Sequence, residues 1–418
     1  MGECVRVLTI FGTRPEAIKL APVVQALVAR AEVAHTLCVT GQHREMLDQV
    51  LRIFGLVPDH DLAVMRPGQD LTHVTTAVLQ GLGPVLDQVL RIFGLVPDHD
   101  LAVMRPGQDL THVTTAVLQG LGPVLDQVRP DWVIVQGDTT TAFAASLAAF
   151  YRRIPVAHVE AGLRTHDILS PWPEEMNRQL TGRIAALHFP PTEAAAANLC
   201  CEGIAEDRML VTGNTVIDAL HWVAARLDSD PALSARFAEE FAWLDPQRRK
   251  ILVTGHRREN FSGGLARVCQ ALARLAARGD VQVVYPVHLN PTVQATAEAV
   301  LKDSPAVHLI PPLDYLPFVY LMKQAQLIVT DSGGIQEEAP GMGIPVLVTR
   351  DTTERPEAIA AGTAKLVGTD EAALVAAATE LLDDSAAYAA MARAKNPFGD
   401  GHAAERIVAR LLQEKSAS

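Results

Sequence analysis

The feature of this sequence that most limits its fold is an alternation between short apolar runs and helical stretches. The first run, Val5–Phe11, ends in a Gly-Thr-Arg-Pro turn, and a predicted helix follows from Pro15 to about Arg30. Strands that alternate with helices in this way form a parallel sheet that is covered on both faces. The predicted strands are Val5–Phe11, His35–Thr40, Trp132–Gln136 and Pro155–Glu160, then Ile251–Thr254, Val281–Pro286, Leu327–Thr330 and Pro345–Thr349. Two such series predict an α/β protein with two doubly wound, Rossmann-like domains.

Composition and charge narrow the class of function. The chain has 418 residues, 49% of them hydrophobic and 20% charged, so a large core and two or three domains are expected. A net charge of −12 argues against nucleic acid or an anionic membrane as the main partner. No apolar run approaches the roughly 20 residues of a membrane span, and the first residues read as a strand, not a signal peptide. The five cysteines lack metal-ligand spacing, so we expect a cytoplasmic protein without a metal.

A tandem duplication interrupts the first series. Residues 47–89 and 86–128 carry the same string at a period of 39 residues, so segments 47–85 and 86–124 are identical copies. Solenoid repeats diverge and usually number at least three, which argues against a solenoid. A recent duplication, an assembly artefact and a selected structural role are the alternatives. We expect the surplus to lie at about residues 56–107, because the start of the first copy stays joined to His43 and the end of the second runs into the Trp132 strand. Two identical Asp-Leu-Ala-Val segments then compete for one position in the sheet.

The strongest local motif for ligand binding is Ser332-Gly333-Gly334, which joins a predicted strand to a predicted helix. Glycines allow a ligand to approach the backbone, and the N–H groups of a helix N-terminus bind phosphate. Glu338 lies about one helical turn further on, where a carboxylate can accept hydrogen bonds from ribose hydroxyls. An isolated Ser-Gly-Gly is more often an ordinary capped turn.

The first half of the chain carries a turn of similar design. Arg14 follows the first predicted strand, where its guanidinium can bind a diphosphate, and Lys19 lies one turn along the same helix. A capped helix with a surface arginine is an equally good interpretation of this motif.

Four ionisable residues are the candidates for catalysis. Asp138 and Glu160 follow buried-type strands, where a carboxylate is costly unless it is paired or used. Glu174 lies in a proline-rich loop, and His256 follows the Ile251–Thr254 strand. Each residue alone is more often structural, but together, beside two predicted phosphate loops, they favour an active site.

The motifs taken together resemble one family, the bacterial non-hydrolysing UDP-N-acetylglucosamine 2-epimerases. The resemblance covers nearly the whole chain apart from 39 residues. It implies a fold like that of the GT-B glycosyltransferases, with the active site in the cleft between two domains. The implied domains are residues 1–210, completed by a C-terminal helix at about 397–418, and a UDP-binding domain at 211–396. The motifs are FGTRPEAIK, TGQHREM, QGDTTT, HVEAGLRT, SPWPEEMNR, GNTVIDAL, TGHRRENF, YPVHLNP, TDSGGIQEEAP and RDTTERPEA.

The resemblance also implies a reaction. UDP-N-acetylglucosamine (UDP-GlcNAc) and UDP-N-acetylmannosamine (UDP-ManNAc) are interconverted at C2 by elimination of UDP to a 2-acetamidoglucal and re-addition, without a cofactor. It implies a homodimer and assigns Asp138, Glu160, Glu174 and His256 to catalysis. Substrate binding falls to Arg14, Lys19, Phe318, Ser332, Gly333, Gly334, Glu338 and Arg355, and a second, activating UDP-GlcNAc to Gln42 and His43.

Two other functions remain open. A GT-B glycosyltransferase shares the phosphate loop and the ribose carboxylate, but it requires an acceptor. Alternatively, the chain is a nucleotide-sugar binder that the duplication has inactivated.

Overall fold

The protein forms two compact units in a computed structural model that describes residues 4–40, 89–103, 108–255, 257 and 263–417. Unit 1 comprises Met1–Ala219 and Gly401–Ser418, and unit 2 comprises Leu220–Asp400. The C-terminal helix Ala403–Ala417 belongs to unit 1 and packs on the helix Arg14–Val28. Unit 1 therefore combines the N-terminal half of the chain with the C-terminal helix.

Unit 1 contains a six-stranded sheet in the order β3-β2-β1-β4-β5-β6, and all its strand pairs are parallel. This order reverses between β1 and β4, as in a Rossmann fold. The strands are β1 Val5–Phe11, β2 Val33–Val39, β3 His99–Asp100, β4 Trp132–Gln136, β5 Val156–Val159 and β6 Leu187–Phe189.

The helices of unit 1 begin at side chains that accept hydrogen bonds from free backbone N–H groups. Thr13, Asp109, Thr139 and Thr192 each cap a helix in this way. The helices are Arg14–Val28, Leu110–Val128, Thr140–Phe150, Glu174–Ile184, Glu193–Cys201 and Ala403–Ala417, and Thr215–Ser229 begins in this unit.

The second copy of the repeat supplies part of the unit 1 core. Residues 99–100 pair with β2 as strand β3, and the helix Leu110–Val128 buries Val117 and Leu121 completely. Within residues 89–103, His99 and Asp100 form the sheet edge and Phe93 is buried, so the second of the two competing Asp-Leu-Ala-Val segments holds the position in the sheet and the surplus does not include these residues. Segment 47–85, the first copy, lies outside the described residues.

Unit 2 repeats the architecture with a parallel sheet in the order β12-β11-β10-β7-β8-β9. Its strands are β7 Arg249–Thr254, β8 Val281–Pro286, β9 Val307–Ile310, β10 Ala325–Thr330, β11 Val346–Val348 and β12 Ala364–Leu366. Its helices are Pro231–Glu240, Gly264–Ala276, Pro291–Leu301, Tyr315–Gln324, Gly333–Gly341, Pro356–Ala360, Glu371–Asp383 and Ser385–Ala392. The order of this sheet reverses between β7 and β10. The prediction of two Rossmann-like α/β folds is confirmed.

Three histidines of unit 1 make its stability depend on pH. Burial lowers the pKa of His35, His158 and His188 to about 4. The unfolded chain, with a histidine pKa of about 6.5, binds protons that the folded chain does not. The free energy of unfolding that these three histidines contribute is therefore fully present above about pH 6.5. This contribution is lost as the pH drops towards 4.

We expect the melting temperature of the full chain to fall steeply between about pH 6.5 and 4.5, since each unit of pKa shift is worth about 1.4 kcal/mol. His35→Gln removes one of the three protonations and should flatten the slope. Thermal melts of both proteins across this range test the prediction. Identical slopes would show that His35 is not a source of the pH dependence.

Candidate active site

Asp138 follows β4 at the carboxyl edge of the unit 1 sheet, where Arg178 holds its carboxylate. Arg178 contacts one oxygen of Asp138 and donates a 2.9 Å hydrogen bond to the buried Glu175. The Asn177 amide donates to the backbone carbonyl of Asp138 at 3.0 Å. Two adjacent residues of the helix Glu174–Ile184 therefore fix both the backbone and the side chain of Asp138.

His158 supports the same turn from β5. Its Nε2 lies 2.7 Å from the carbonyl oxygen of Gly137, which has a left-handed backbone with φ of 70°. Burial lowers the pKa of His158 to about 4, so the ring is neutral near pH 7. A carbonyl can only accept, and Nε2 therefore carries the proton. His158 thus positions the turn that precedes Asp138.

Glu160 follows β5 and is 9% exposed. Its carboxylate accepts hydrogen bonds from Lys19 at 2.5 and 2.7 Å, from Asn214 at 2.9 Å and from Gln136. Glu160 also has a left-handed backbone, with φ of 60°, which is uncommon outside glycine and is often found at functional sites. The structure thus brings Lys19 and Glu160, both predicted site residues, into one partly buried ion pair.

Glu16 links the two loops that carry Arg14 and Asp138. Its carboxylate accepts from the backbone N–H of Gly12 at 3.1 Å and of Thr13 at 2.7 Å, and from the Thr139 hydroxyl at 2.7 Å. Glu16 is 1% exposed, and this burial raises its pKa. The sequence analysis missed this residue, although the Thr-x-x-Glu spacing from Thr13 to Glu16 is the signature of a capping box.

We expect Glu16→Gln to lower turnover on the order of 10-fold to 100-fold, because the amide presents a donor where the carboxylate only accepts, and the two loops separate. Turnover and melting temperature should be measured beside Thr192→Ala, which removes another helix cap of unit 1. Equal activities of the two variants at equal stability would mean that Glu16 only caps its helix.

Glu174 differs from its neighbour Glu175. Glu175 is completely buried and accepts from Arg178, Gln179 and the backbone of Thr165. Glu174 begins the helix Glu174–Ile184, is half-buried, and forms no hydrogen bond or ion pair with the part of the chain that the structure describes. Of the two adjacent acids, Glu174 is the one that remains available for proton transfer.

Arg14 is the first residue of the helix Arg14–Val28 and is half-buried. It follows β1, so Arg14 and Asp138 lie beyond the two strands between which the order of the sheet reverses. Ligands of open α/β sheets bind at this position. Three predicted site residues, Gln42, His43 and His256, lie outside the described residues.

The glycine-rich loop of unit 2 follows β10 at the corresponding reversal of the second sheet. Ser332 precedes the helix Gly333–Gly341. A Cβ atom on Gly333 would lie 3.8 Å from the Arg355 guanidinium, and one on Gly334 would lie 3.8 Å from a Glu338 oxygen. The structure therefore groups five predicted residues, Ser332, Gly333, Gly334, Glu338 and Arg355, around one helix N-terminus. Phe318 lies apart from the loop in sequence, half-buried in the helix Tyr315–Gln324.

Two buried carboxylates that the sequence analysis missed support this loop. Glu337 is 3% exposed and contacts the Arg355 guanidinium. Asp331 is 1% exposed and accepts from the backbone N–H of Arg257 at 2.9 Å, which ties the loop after β7 to the loop after β10. Neither partner is local in sequence, so no short motif reveals them.

The described residues hold neither a metal-binding group of side chains nor a membrane-spanning helix. They contain no group of three or more His, Cys, Asp and Glu side chains arranged to hold a metal ion. None of the helices they form is long and apolar enough to cross a membrane.

Comparison with known proteins gives consistent matches along the chain. The family model described as UDP-N-acetylglucosamine 2-epimerase matches residues 25–89 and 84–412. The UDP-N-acetylglucosamine 2-epimerase of Yersinia pestis is 53% identical over 407 residues, 97% of this chain and 98% of that protein. The protein of the same name from Escherichia coli K12 is 51% identical over 411 residues, covering 98% and 99%.

Solved structures agree with the sequence matches. The crystal structure of UDP-GlcNAc 2-epimerase from Neisseria meningitidis bound to UDP-GlcNAc is 43% identical, with a TM-score of 0.80 and coverage of 98% of this chain and 100% of that one. The Methanocaldococcus jannaschii enzyme in complex with UDP-GlcNAc and UDP is 31% identical, with a TM-score of 0.70 and coverage of 98% and 100%.

The two Rossmann-like units, one with clustered carboxylates and one with a glycine-rich helix N-terminus, define a nucleotide-sugar enzyme of the GT-B-like class. Within that class the relatives and the family model agree on one activity. The chain belongs to the UDP-N-acetylglucosamine 2-epimerase family.

Proposed function

We propose that this protein catalyses the reversible epimerisation of UDP-GlcNAc to UDP-ManNAc at C2. The observation that carries the proposal is the group of acids in unit 1: Asp138 and Glu160, each paired with a cationic side chain, and the half-buried Glu174. An epimerase must handle a proton on both faces of one carbon, which requires more than one acid or base.

The proposed reaction begins with loss of the C2 proton and departure of UDP from C1, which gives a 2-acetamidoglucal. C2 bears no carbonyl, so its proton is weakly acidic, and stabilisation of the leaving diphosphate must lower much of the barrier. Arg14 and the N–H groups at Ser332, Gly333 and Gly334 fit this role by charge and by helix polarity. Protonation of C2 on the other face and return of UDP complete the cycle.

The other residues take roles that follow from their chemistry. Asp138, Glu160 and Glu174 are proposed for proton transfer, and His256 for the diphosphate. Glu338 is proposed for the ribose, Phe318 for the uracil, and Lys19 and Arg355 for orienting the substrate. Gln42 and His43 are proposed for a second, activating UDP-GlcNAc.

The test is incubation with UDP-GlcNAc alone in deuterated water, followed by NMR. We expect UDP-ManNAc to appear and the C2 position of both sugars to gain deuterium. A glycosyltransferase would need an acceptor, and an inactivated binder would bind UDP without exchange. Absence of both exchange and product would overturn the proposal.

Arg14→Ala should weaken UDP binding about 10-fold to 100-fold, because a charge-assisted hydrogen bond to phosphate contributes about 1.5–3 kcal/mol. Isothermal titration with UDP measures this directly. Arg30→Ala, which removes an exposed arginine just beyond the end of the same helix, is the matched control. If both variants bind UDP like the original chain, Arg14 is structural.

We further propose that the protein is cytoplasmic and, as the family resemblance implies, a homodimer. Sedimentation of the purified chain at several concentrations tests the dimer. A monomer at all concentrations would contradict it.

A further inference from the structure

A cavity of about 550 Å³ lies at the amino edge of the unit 1 sheet. Its lining includes Arg6 in β1, Pro130 just before β4 and Ile154 just before β5. The amino ends of parallel strands lie at one edge of a sheet, so the cavity is at the opposite edge from Asp138 and Glu160. It is therefore separate from the candidate active site of this unit.

Three arginines from three segments of the chain line this cavity: Arg6, Arg129 and Arg152. Arg152 donates to both oxygens of Asp126 at 2.8 and 3.1 Å, and Arg6 donates to Asp131 at 3.2 Å. Two of the three positive charges are thus balanced by carboxylates. The group keeps one excess positive charge on a chain whose net charge is −12.

Arg129 supplies the excess charge. Among the described residues it forms no ion pair, and its Nε donates a long hydrogen bond, 3.4 Å, to the backbone oxygen of Asp126. Its backbone is left-handed, with φ of 45° and ψ of 57°. This conformation is unfavourable for residues that carry a Cβ atom. An arginine at this helix end is therefore held in an unfavourable backbone conformation at the wall of the cavity.

Gly122 makes room for the second arginine. It lies within the helix Leu110–Val128, and a Cβ atom there would be only 3.0 Å from Nη2 of Arg152. Any larger residue at position 122 would displace the guanidinium. Gly122, a poor helix former, thus lies in the helix where the Arg152 guanidinium packs against it.

We propose that this arginine cavity binds a small molecule through a diphosphate group. The Arg129 guanidinium can bind one phosphate with two parallel hydrogen bonds, and Arg6 and Arg152 have further N–H donors, outside their ion pairs, that can bond a second phosphate. A volume of about 550 Å³ suits a ligand of the size of a nucleotide. The proposal goes beyond the epimerase activity and does not depend on it.

The test is isothermal titration of inorganic pyrophosphate into the full chain without UDP, because UDP itself carries a diphosphate and would compete for the cavity. We expect a pyrophosphate site that Arg129→Ala weakens about 10-fold to 100-fold. Arg91→Ala, which removes an exposed charge elsewhere in unit 1, should leave it unchanged. Absence of binding, or an equal loss in both variants, would overturn the proposal.

The duplication offers a second, matched pair of variants. Asp126→Asn removes the carboxylate that competes for Arg152 and should tighten pyrophosphate binding. Asp87→Asn is the same change in the preceding Leu-Asp-Gln-Val tetrapeptide, 39 residues earlier, and should have no effect. If Asp126→Asn binds no more tightly than Asp87→Asn, the cavity is not an anion site.

Discussion

Val117→Asp should unfold unit 1, whereas Val78→Asp, the same change in the first copy of the repeat, should leave it folded. The two substitutions have identical sequence neighbours, since residues 47–89 and 86–128 are the same string. They differ only in which copy carries the charge. The pair therefore isolates the position of the residue in the fold from every local sequence effect.

The physical reason lies in the packing of Val117. Its side chain is completely buried in a cluster with Leu8, Ile10 and Leu121, between the sheet and the helix Thr140–Phe150. An ionised carboxylate there has no partner and costs several kcal/mol. The free energy of unfolding of a domain is only about 5–15 kcal/mol, so a cost of this size is enough to unfold unit 1.

The connection to β4 favours the second copy over the first. The helix Leu110–Val128 is followed by Arg129, its C-cap. Two residues later the backbone N–H of Asp131 donates a 2.7 Å hydrogen bond to the backbone carbonyl oxygen of Arg6 in β1. The second copy therefore enters the sheet without a linker. The first copy would need its 39-residue successor to form a loop before the same strand.

Thermal melts and soluble yield of both single variants and of the double variant decide between the copies. We expect Val117→Asp to be as unstable as the double variant. A stable Val117→Asp with an unstable double variant would show that either copy can fill the position. Should the charged variants not express, Leu121→Ala and Leu82→Ala offer the same comparison at a cost of about 2–5 kcal/mol for the copy that is buried.

The fold was predictable from the sequence because buried parallel strands are apolar along their whole length. The predicted strand Trp132–Gln136 matches β4, in which all five residues are buried. The strands that the sequence analysis did not predict lie at or next to sheet edges and are short or half-exposed. β3 has two residues, and all four residues of β9 are only partly buried. Such strands depend on the neighbour they pair with, which no local pattern records.

The candidate site was predictable to the extent that its residues follow strands. Asp138 and Glu160 stand out because carboxylates at the ends of buried strands are costly without a role. The pairing of these acids with their cations was not predicted, since Lys19 is 141 residues from Glu160 and Arg178 is 40 residues from Asp138. Only the fold brings these charges together.

Asp138→Asn should lower turnover by about 10²- to 10⁴-fold while UDP still binds. An amide cannot accept or deliver the proton that the proposed reaction moves at C2, and loss of a general acid or base has effects of this size. The diphosphate-binding groups proposed in unit 2 are unchanged. We therefore expect the loss in kcat, not in affinity for UDP.

The fold should survive this substitution, and so the experiment can separate chemistry from stability. Arg178, which loses the Asp138 carboxylate, keeps its 2.9 Å ion pair with the buried Glu175. The Asn177 amide still bonds the backbone at position 138, because that contact does not involve the side chain. Melting temperature and UDP affinity should stay close to those of Asp207→Asn, an equal change of charge at an exposed position of unit 1. Turnover of Asp138→Asn equal to that of Asp207→Asn would remove Asp138 from the proton-transfer step and leave Glu160 and Glu174 as the remaining candidates.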